Sequence, residues 1–429
     1  MKSLSLKNKT IIAIVLFVAI FAALIAIASV FDFQVSQILT KNALKPGDYI
    51  ANDLFGVVGE AVGTSPIYIV LAVCTAILCW FFARTFGKKW WGVTLAVVLA
   101  IAGSVAWWYY IKDTFRYVLE HAAAQVGSTA GAIVYEFRHD GAVMAIEWLI
   151  ALTLQALNVL AFKNLKPETL KKLVWWVIAV ISAVVVANIL IMIIKDPVGR
   201  MRYRALNTEF GQKLKADRIR DYTPWYIANG QPDKEIIDGF VSLFPGAGDA
   251  FKSFPSGHTC AAGMSYALIM LPDVIDFKSE KSKKGVKIAC WIIPIAITML
   301  VAISRIVVGA HYMSDVTFGG TLAFVCMIIA REIFVCKGSH FFALFPSAMP
   351  KKLAKVEEGV DVDVDIAEQE TAEDEFVDEM VEESVEDVVA NGNESVSDDK
   401  LEEAVLSGEQ ANKVSQEIAS NLRDGVISE

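Results

Sequence analysis

An all-α, polytopic membrane helix bundle of about six to eight spans, followed by a disordered acidic C-terminal tail, is the fold class this sequence predicts. Three observations lead there. Of 429 residues 55% are hydrophobic, with a mean hydropathy of +0.47, too apolar for an ordinary soluble domain. The apolar residues gather in runs long enough to cross a hydrocarbon layer. The net charge of −9 divides unevenly, with −22 on residues 357–429 and +13 on the rest.

Taken in order, the candidate spans are 11–31, 66–82, 91–110, 143–162, 173–194, 259–271, 288–303 and 316–335, of which the sixth and seventh are short. The first stands behind Lys2, Lys7 and Lys9 and exceeds the usual length of a signal-peptide core, so it reads as an uncleaved span. Paired tryptophans and tyrosines at 90–91, 107–110 and 175–176 sit at span ends and read as interfacial belts. Glu147 and Asn158, inside the fourth run, read as helix–helix contacts. The six cysteines lie in or beside apolar runs with no paired metal-binding spacing, and so read as buried thiols. Residues 351–429 are acidic, poor in aromatics and without a catalytic constellation, as expected of a solvated tail that could engage a cytoplasmic protein partner. The organisation expected is N-terminal spans over 1–162, a core over 163–350 and the tail over 351–429.

Charge sets the orientation. With the N-terminus inside, the connections at 84–89, 163–172 and 278–287 are lysine-rich, while 32–65 and 111–141 are poor in Lys and Arg for their length. The third outer connection, 195–258, is not, and its basic residues are candidates for phosphate partners. Every unusual polar cluster then falls on the outer side. Nothing in this pattern suggests a nucleic-acid surface; the partner implied is the lipid bilayer.

Three clusters carry chemistry. Ser304 to Asp315 reads SRIVVGAHYMSD, and intramembrane polar residues of this kind are costly unless functional. His311 and Asp315 are four apart, so on a helix they share a face and the carboxylate orients the imidazole as a base or nucleophile. Arg305 offers a planar fork suited to phosphate oxygens. In FKSFPSGHT, Pro255 and Gly257 force a turn, after which Ser256 and the amides behind it open a helix, with His258 beside any anion held there. In KDPVGRMR, Pro197 and Gly199 end the fifth span, turning Lys195 and Arg202 toward the same place. Cationic clamp, histidine and carboxylate together suit phosphoryl chemistry. His121, His139 and His340 match no metal spacing and read as loop or interfacial residues.

Lys-x6-Arg, Pro-Ser-Gly-His and Ser-Arg-x5-His-x3-Asp, in that order over 195–315, resemble the type 2 phosphatidic acid phosphatase superfamily of lipid phosphatases and haloperoxidases. The first motif departs from the pattern, with Tyr203 where the family usually has proline. The family core has six spans, so two of those between 66 and 162 look like an addition. The resemblance implies that His311 attacks phosphorus, Asp315 orients it and His258 protonates the leaving group. It implies phosphoryl-oxygen contacts from Lys195, Arg202, Ser256, Gly257 and Arg305, with no cofactor and no metal. The expected activity is hydrolysis of a lipid phosphate or diphosphate, of isoprenoid-carrier or phosphatidate type, on the outer side of a bacterial cytoplasmic membrane. A phosphotransferase using the same site is the alternative, and a transporter or scaffold that merely retains the motifs is a third reading. The connection 203–252 is expected to form a lid or substrate wall.

Overall fold

Backbone out of reach of water must satisfy its own N–H and C=O groups, so long apolar runs fold as helices. The computed structural model describes residues 5–51, 53–126, 140–244, 247–277 and 279–345, and among these no strand occurs. They lie in one compact unit, Met1–Ala348. The tail expected at 351–429 lies outside the described residues.

In chain order the helices are α1 (Leu6–Thr40), α2 (Leu54–Gly63), α3 (Ser65–Thr85), α4 (Trp90–Val126), α5 (Gly141–Ala161) and α6 (Pro167–Val198). Three short helices follow, α7 (Tyr203–Leu206), α8 (Glu209–Ala216) and α9 (Lys234–Leu243). Then come α10 (Gly257–Gly263) and α11 (Leu271–Val274), joined by a 3₁₀ stretch at Met264–Met270. Two long helices, α12 (Glu280–Val307) and α13 (Met313–Ala330), precede a π-turn at Arg331–Val335 and the short α14 (Ser339–Leu344).

Among the described residues, seven helical segments are long and apolar enough to cross a membrane. The sixth predicted run is not among them. It forms instead the broken rod α10–3₁₀–α11, whose side chains are mostly buried. At 1.5 Å per α residue and 2.0 Å per 3₁₀ residue, the rod reaches about 30 Å, a hydrocarbon thickness from few residues. Its ends agree. Gly257 opens it beside Lys195 at the end of α6, and past its far end Asp276 pairs with Lys172 in the first turns of α6 at 3.0 Å. The rod therefore runs the length of α6.

A core of α3, α6, the rod and α13 closes on Cys74, Ile77, Trp176, Val180, Met264 and Met327. Trp176 corrects the belt expectation: it is 2% exposed, and its indole N–H donates to the Ala267 carbonyl at 3.0 Å. Trp90, 80% exposed, does sit at a helix end. Glu147 accepts from the Trp108 indole at 3.1 Å, and the Asn158 amide donates to the Ala72 carbonyl at 2.9 Å, so both tie helices together. The cysteines are free; four are buried and two half-buried. The 203–252 connection builds a small cap whose Phe240 and Phe251 share a core with Met201 and with Tyr49 from the segment after α1.

Two local features aim the functional end. α1 leaves its apolar stretch at Asp32 and buries Asp32, Ser36 and Thr40, four apart, against protein. α2 places Gly56, Gly59 and Gly63 on one face, where its backbone presses on Val308, Ser304 and Val301 of α12 and the turn after it. A Cβ on Gly59 would stand 2.1 Å from Ser304 Oγ. Gly59→Ala is therefore expected to cost about 1–3 kcal/mol by overpacking, read as a lower thermal unfolding midpoint in detergent.

Candidate functional site

The turn between α12 and α13 is built by its backbone. The carbonyl of Arg305 accepts the N–H groups of Ala310 at 3.1 Å and His311 at 3.2 Å, and Gly309 turns the chain at φ 65°. His311 thus stands before α13 rather than on it, which corrects the shared-face expectation. Asp315 reaches back to the N–H of Tyr312 at 2.8 Å as an N-terminal cap.

Both oxygens of Asp315 are already engaged. Oδ1 accepts from Arg200 at 2.5 Å, while Oδ2 accepts from Ser253 Oγ at 2.5 Å as well as from Tyr312. Its Oδ2 stays 3.6 Å from His311 Nδ1. The closer acceptor is the Ser253 carbonyl, 2.6 Å from Nδ1. A carbonyl can only accept, so Nδ1 carries the proton and Nε2 keeps its lone pair. Asp315 therefore orients His311 at one remove, by fixing Ser253. Burial first, then Arg202, Arg305 and Lys195, push the His311 imidazole well below the ordinary histidine range. It is a neutral base beside concentrated positive charge.

Sequence reasoning passed over the residue that organises this region. Arg200, fully buried, donates to Asp315, to Ser314 Oγ at 2.7 Å, to Asp32 at 2.7 Å and to the Thr223 carbonyl at 2.8 Å. Its guanidinium lies 4.1 Å from the Tyr312 ring and 5.3 Å from the Tyr222 ring, and the two rings meet edge to face. Asp32, 1% exposed, also accepts the Ser314 N–H at 2.8 Å, so the first helix is locked into the start of α13. The segments around 200–202 and 250–253 lie side by side through Arg202 N–H to Ala250 O and Ser253 N–H to Arg200 O.

The expected phosphate ligands converge at this end. Arg305 is fully buried; none of its three nitrogens has a hydrogen-bond partner, and Nη1 forms an ion pair with Glu60 Oε1 at 2.8 Å. Arg202, 3% exposed, pairs with Asp249 at 2.7 Å and leaves Nε unpartnered. Lys195 Nζ lies 3.5 Å from where a Cβ on Gly257 would be, so the bare glycine keeps space open next to the ammonium. Ser256 caps α10 by accepting the Thr259 N–H at 3.3 Å, and its own N–H donates to the Asp315 carbonyl at 3.0 Å. Its hydroxyl is thus spent on the helix start. Burial pushes the Asp249 carboxyl up, but Arg202 and Arg204 outweigh it and hold it down to about 2. Arg204 lies over the Tyr49 ring at 4.6 Å, about 4.0 Å from both Glu60 and Asp249. His258 Nε2 is 3.1 Å from the Tyr117 hydroxyl of α4.

Buried donors without partners cost roughly 1–3 kcal/mol each, more for charged groups. Several such donors on neighbouring arginines describe a cradle shaped for an anion. Glu60, Arg204 and Tyr117 were missed with Arg200 and Asp32. The available signals were a carboxylate closing a long apolar run, a second arginine inside the first motif, and glycines at 56, 59 and 63 that share one helical face.

One group of metal-ligand types occurs among the described residues: Glu332, Cys336 and His340, near the π-turn. Glu332 is already used there. Its Oε1 accepts the N–H groups of His340 at 2.7 Å and Phe341 at 2.9 Å, and its Oε2 lies 2.9 Å from His340 Nδ1, which makes it the cap of α14. The side chains of His121 and His139 lie outside the described residues.

Comparison with known proteins places residues 173–337 in a match to the PAP2 superfamily. A curated relative, "Probable diacylglycerol pyrophosphate phosphatase 1" of Schizosaccharomyces pombe, is 25% identical over 196 residues. The alignment covers 43% of this chain and 63% of that relative, so the chain spans less than two thirds of the relative's length. No solved structure matches. Lys195 through Asp315 fall inside the superfamily match, whereas Asp32, Glu60 and Tyr117 lie before it.

Proposed function

From the PAP2-superfamily match and the geometry around His311, we propose that this chain hydrolyses a membrane lipid phosphate or diphosphate through a phosphohistidine. The observation that carries the reading is His311, its Nδ1 held by the Ser253 carbonyl at 2.6 Å, beside the unpartnered buried donors of Arg202 and Arg305. Nε2 attacks phosphorus and forms the N–P bond as the P–O bond to the lipid breaks. A protonated His258, its charge matched by the bound phosphoryl group, gives the leaving oxygen its proton, then takes one from the water that cleaves N–P and releases inorganic phosphate. Lys195, Arg202 and Arg305 stabilise the charge on the equatorial oxygens, the part a metal plays elsewhere, so turnover is expected to resist chelation. The cradle's place at one end of the bundle suits a headgroup that enters while its chains stay in lipid. The name of the fission-yeast relative supports a diacylglycerol-type pyrophosphate among the substrates, and the charge pattern supports the outer face.

The test is phosphate release from a panel of lipid mono- and diphosphates by purified protein in detergent with excess EDTA. Release that EDTA leaves intact supports the reading, and no release from any member by folded protein contradicts it.

Acidity should respond to the cradle. Arg202 helps hold the His311 imidazole down, so Arg202→Gln raises that pKa toward the ordinary value. The nucleophile works only when unprotonated, so the acid limb of kcat/KM is expected to move to higher pH in Arg202→Gln. The substrate's own titration is common to both enzymes and cancels. A limb that stays put or moves down would contradict this placement of charge.

A further inference from the structure

Glu60 has no role among the expected phosphate ligands, yet it occupies the most buried of their cations. Its Oε1 stands 2.8 Å from Arg305 Nη1 and 4.0 Å from Arg204 Nη1, and its side chain is 16% exposed. It is not there by loose chance. The glycine face of α2 brings that helix onto the last turns of α12, which carry Arg305, and so fixes the carboxylate against the guanidinium. A second carboxylate, Asp249, stands on Arg202 in the same way at 2.7 Å. Two acids thus sit on Arg305 and Arg202, each of which also carries a buried donor without a hydrogen-bond partner. An anion entering the cradle meets Arg305 already engaged.

We propose that Glu60 is a built-in competitor for the phosphoryl group: it neutralises Arg305 while the cradle is empty, yields to the substrate's phosphate, and by its nearby charge weakens retention of the inorganic phosphate product. This rests on the phosphate-site reading above. The physical basis is simple. A guanidinium can satisfy only a limited set of acceptors, and two anions a few ångströms apart in a poorly screened site repel strongly. A carboxylate that only braced Arg305 would have the opposite consequence, because loosening the brace would weaken phosphate binding. The sign of the effect separates the two roles.

The experiment measures binding of inorganic phosphate and of orthovanadate, by calorimetry, to the full chain in detergent with excess EDTA. Wild type is compared with Glu60→Gln, which keeps the shape and removes the charge, and with Asp249→Asn. The latter changes a partly exposed residue, so a folding failure in the first variant would not remove the test. Glu60→Gln is expected to bind both anions about tenfold more tightly, with a matching fall in the product-inhibition constant, and Asp249→Asn to shift in the same direction by less. Equal or weaker binding in the variants would overturn the proposal and make the carboxylates braces. Absence of binding by wild type and variants alike would overturn the phosphate-site reading itself, and this proposal with it.

Discussion

Replacing His311 by alanine is expected to lower turnover by a factor on the order of 10⁴ or more, with a loss of stability of only about 1–3 kcal/mol from the stranded Ser253 carbonyl. The size follows from the role. Without Nε2 no N–P bond forms, and what remains is whatever the cationic cradle does for direct attack by water. Fold should persist because the turn carrying His311 is held by backbone bonds of residues 310 and 311 to the Arg305 carbonyl and by the Asp315 cap, none of which uses the imidazole. Phosphate and vanadate should still bind, since the arginines and Lys195 stay in place. A variant that loses turnover, anion binding and fold together would make His311 a structural residue instead.

The second large effect belongs to a residue far upstream. Asp32→Ala is expected to destabilise the protein by about 3–5 kcal/mol and to abolish most activity, because it leaves the buried Arg200 short of one counter-charge and the start of α13 short of an acceptor. Asp32 touches no expected phosphate ligand. It acts through Arg200, Ser314 and Asp315, which together place Ser253 and hence His311. Thermal unfolding and turnover of Asp32→Ala, Arg200→Met and the double variant check this. The double variant should cost clearly less than the two single losses added, since either change alone strands a buried charge. Strict additivity would mean that the two side chains do not depend on each other.

The sequence made the cradle legible and its supports much less so. Lys195, Arg202, His258, Arg305, His311 and Asp315 announce themselves by being polar where apolar residues surround them, and the fold brings them to one end of the bundle. Partner choice was not legible. An i,i+4 spacing suggested that Asp315 binds His311 directly, but the helix begins after His311, and a carboxylate at its first turn is claimed by the cap and by Arg200. Asp32 and Glu60 act across more than two hundred residues of chain, and spacing carries no information at that distance. The sixth run was legible as a span but looked too short, because apolar runs are judged at 1.5 Å per residue and a 3₁₀ stretch crosses the same thickness with fewer.

The central claim is the phosphoryl group on His311, and rapid acid-free quenching of protein incubated with labelled lipid phosphate tests it most directly. The quenched protein is digested at alkaline pH, where a phosphoramidate survives, and mapped by mass spectrometry. Label on the peptide carrying His311, lost on brief acid treatment and absent from His311→Ala, is the result expected. Label on another residue, or sustained turnover by His311→Ala, would contradict the account.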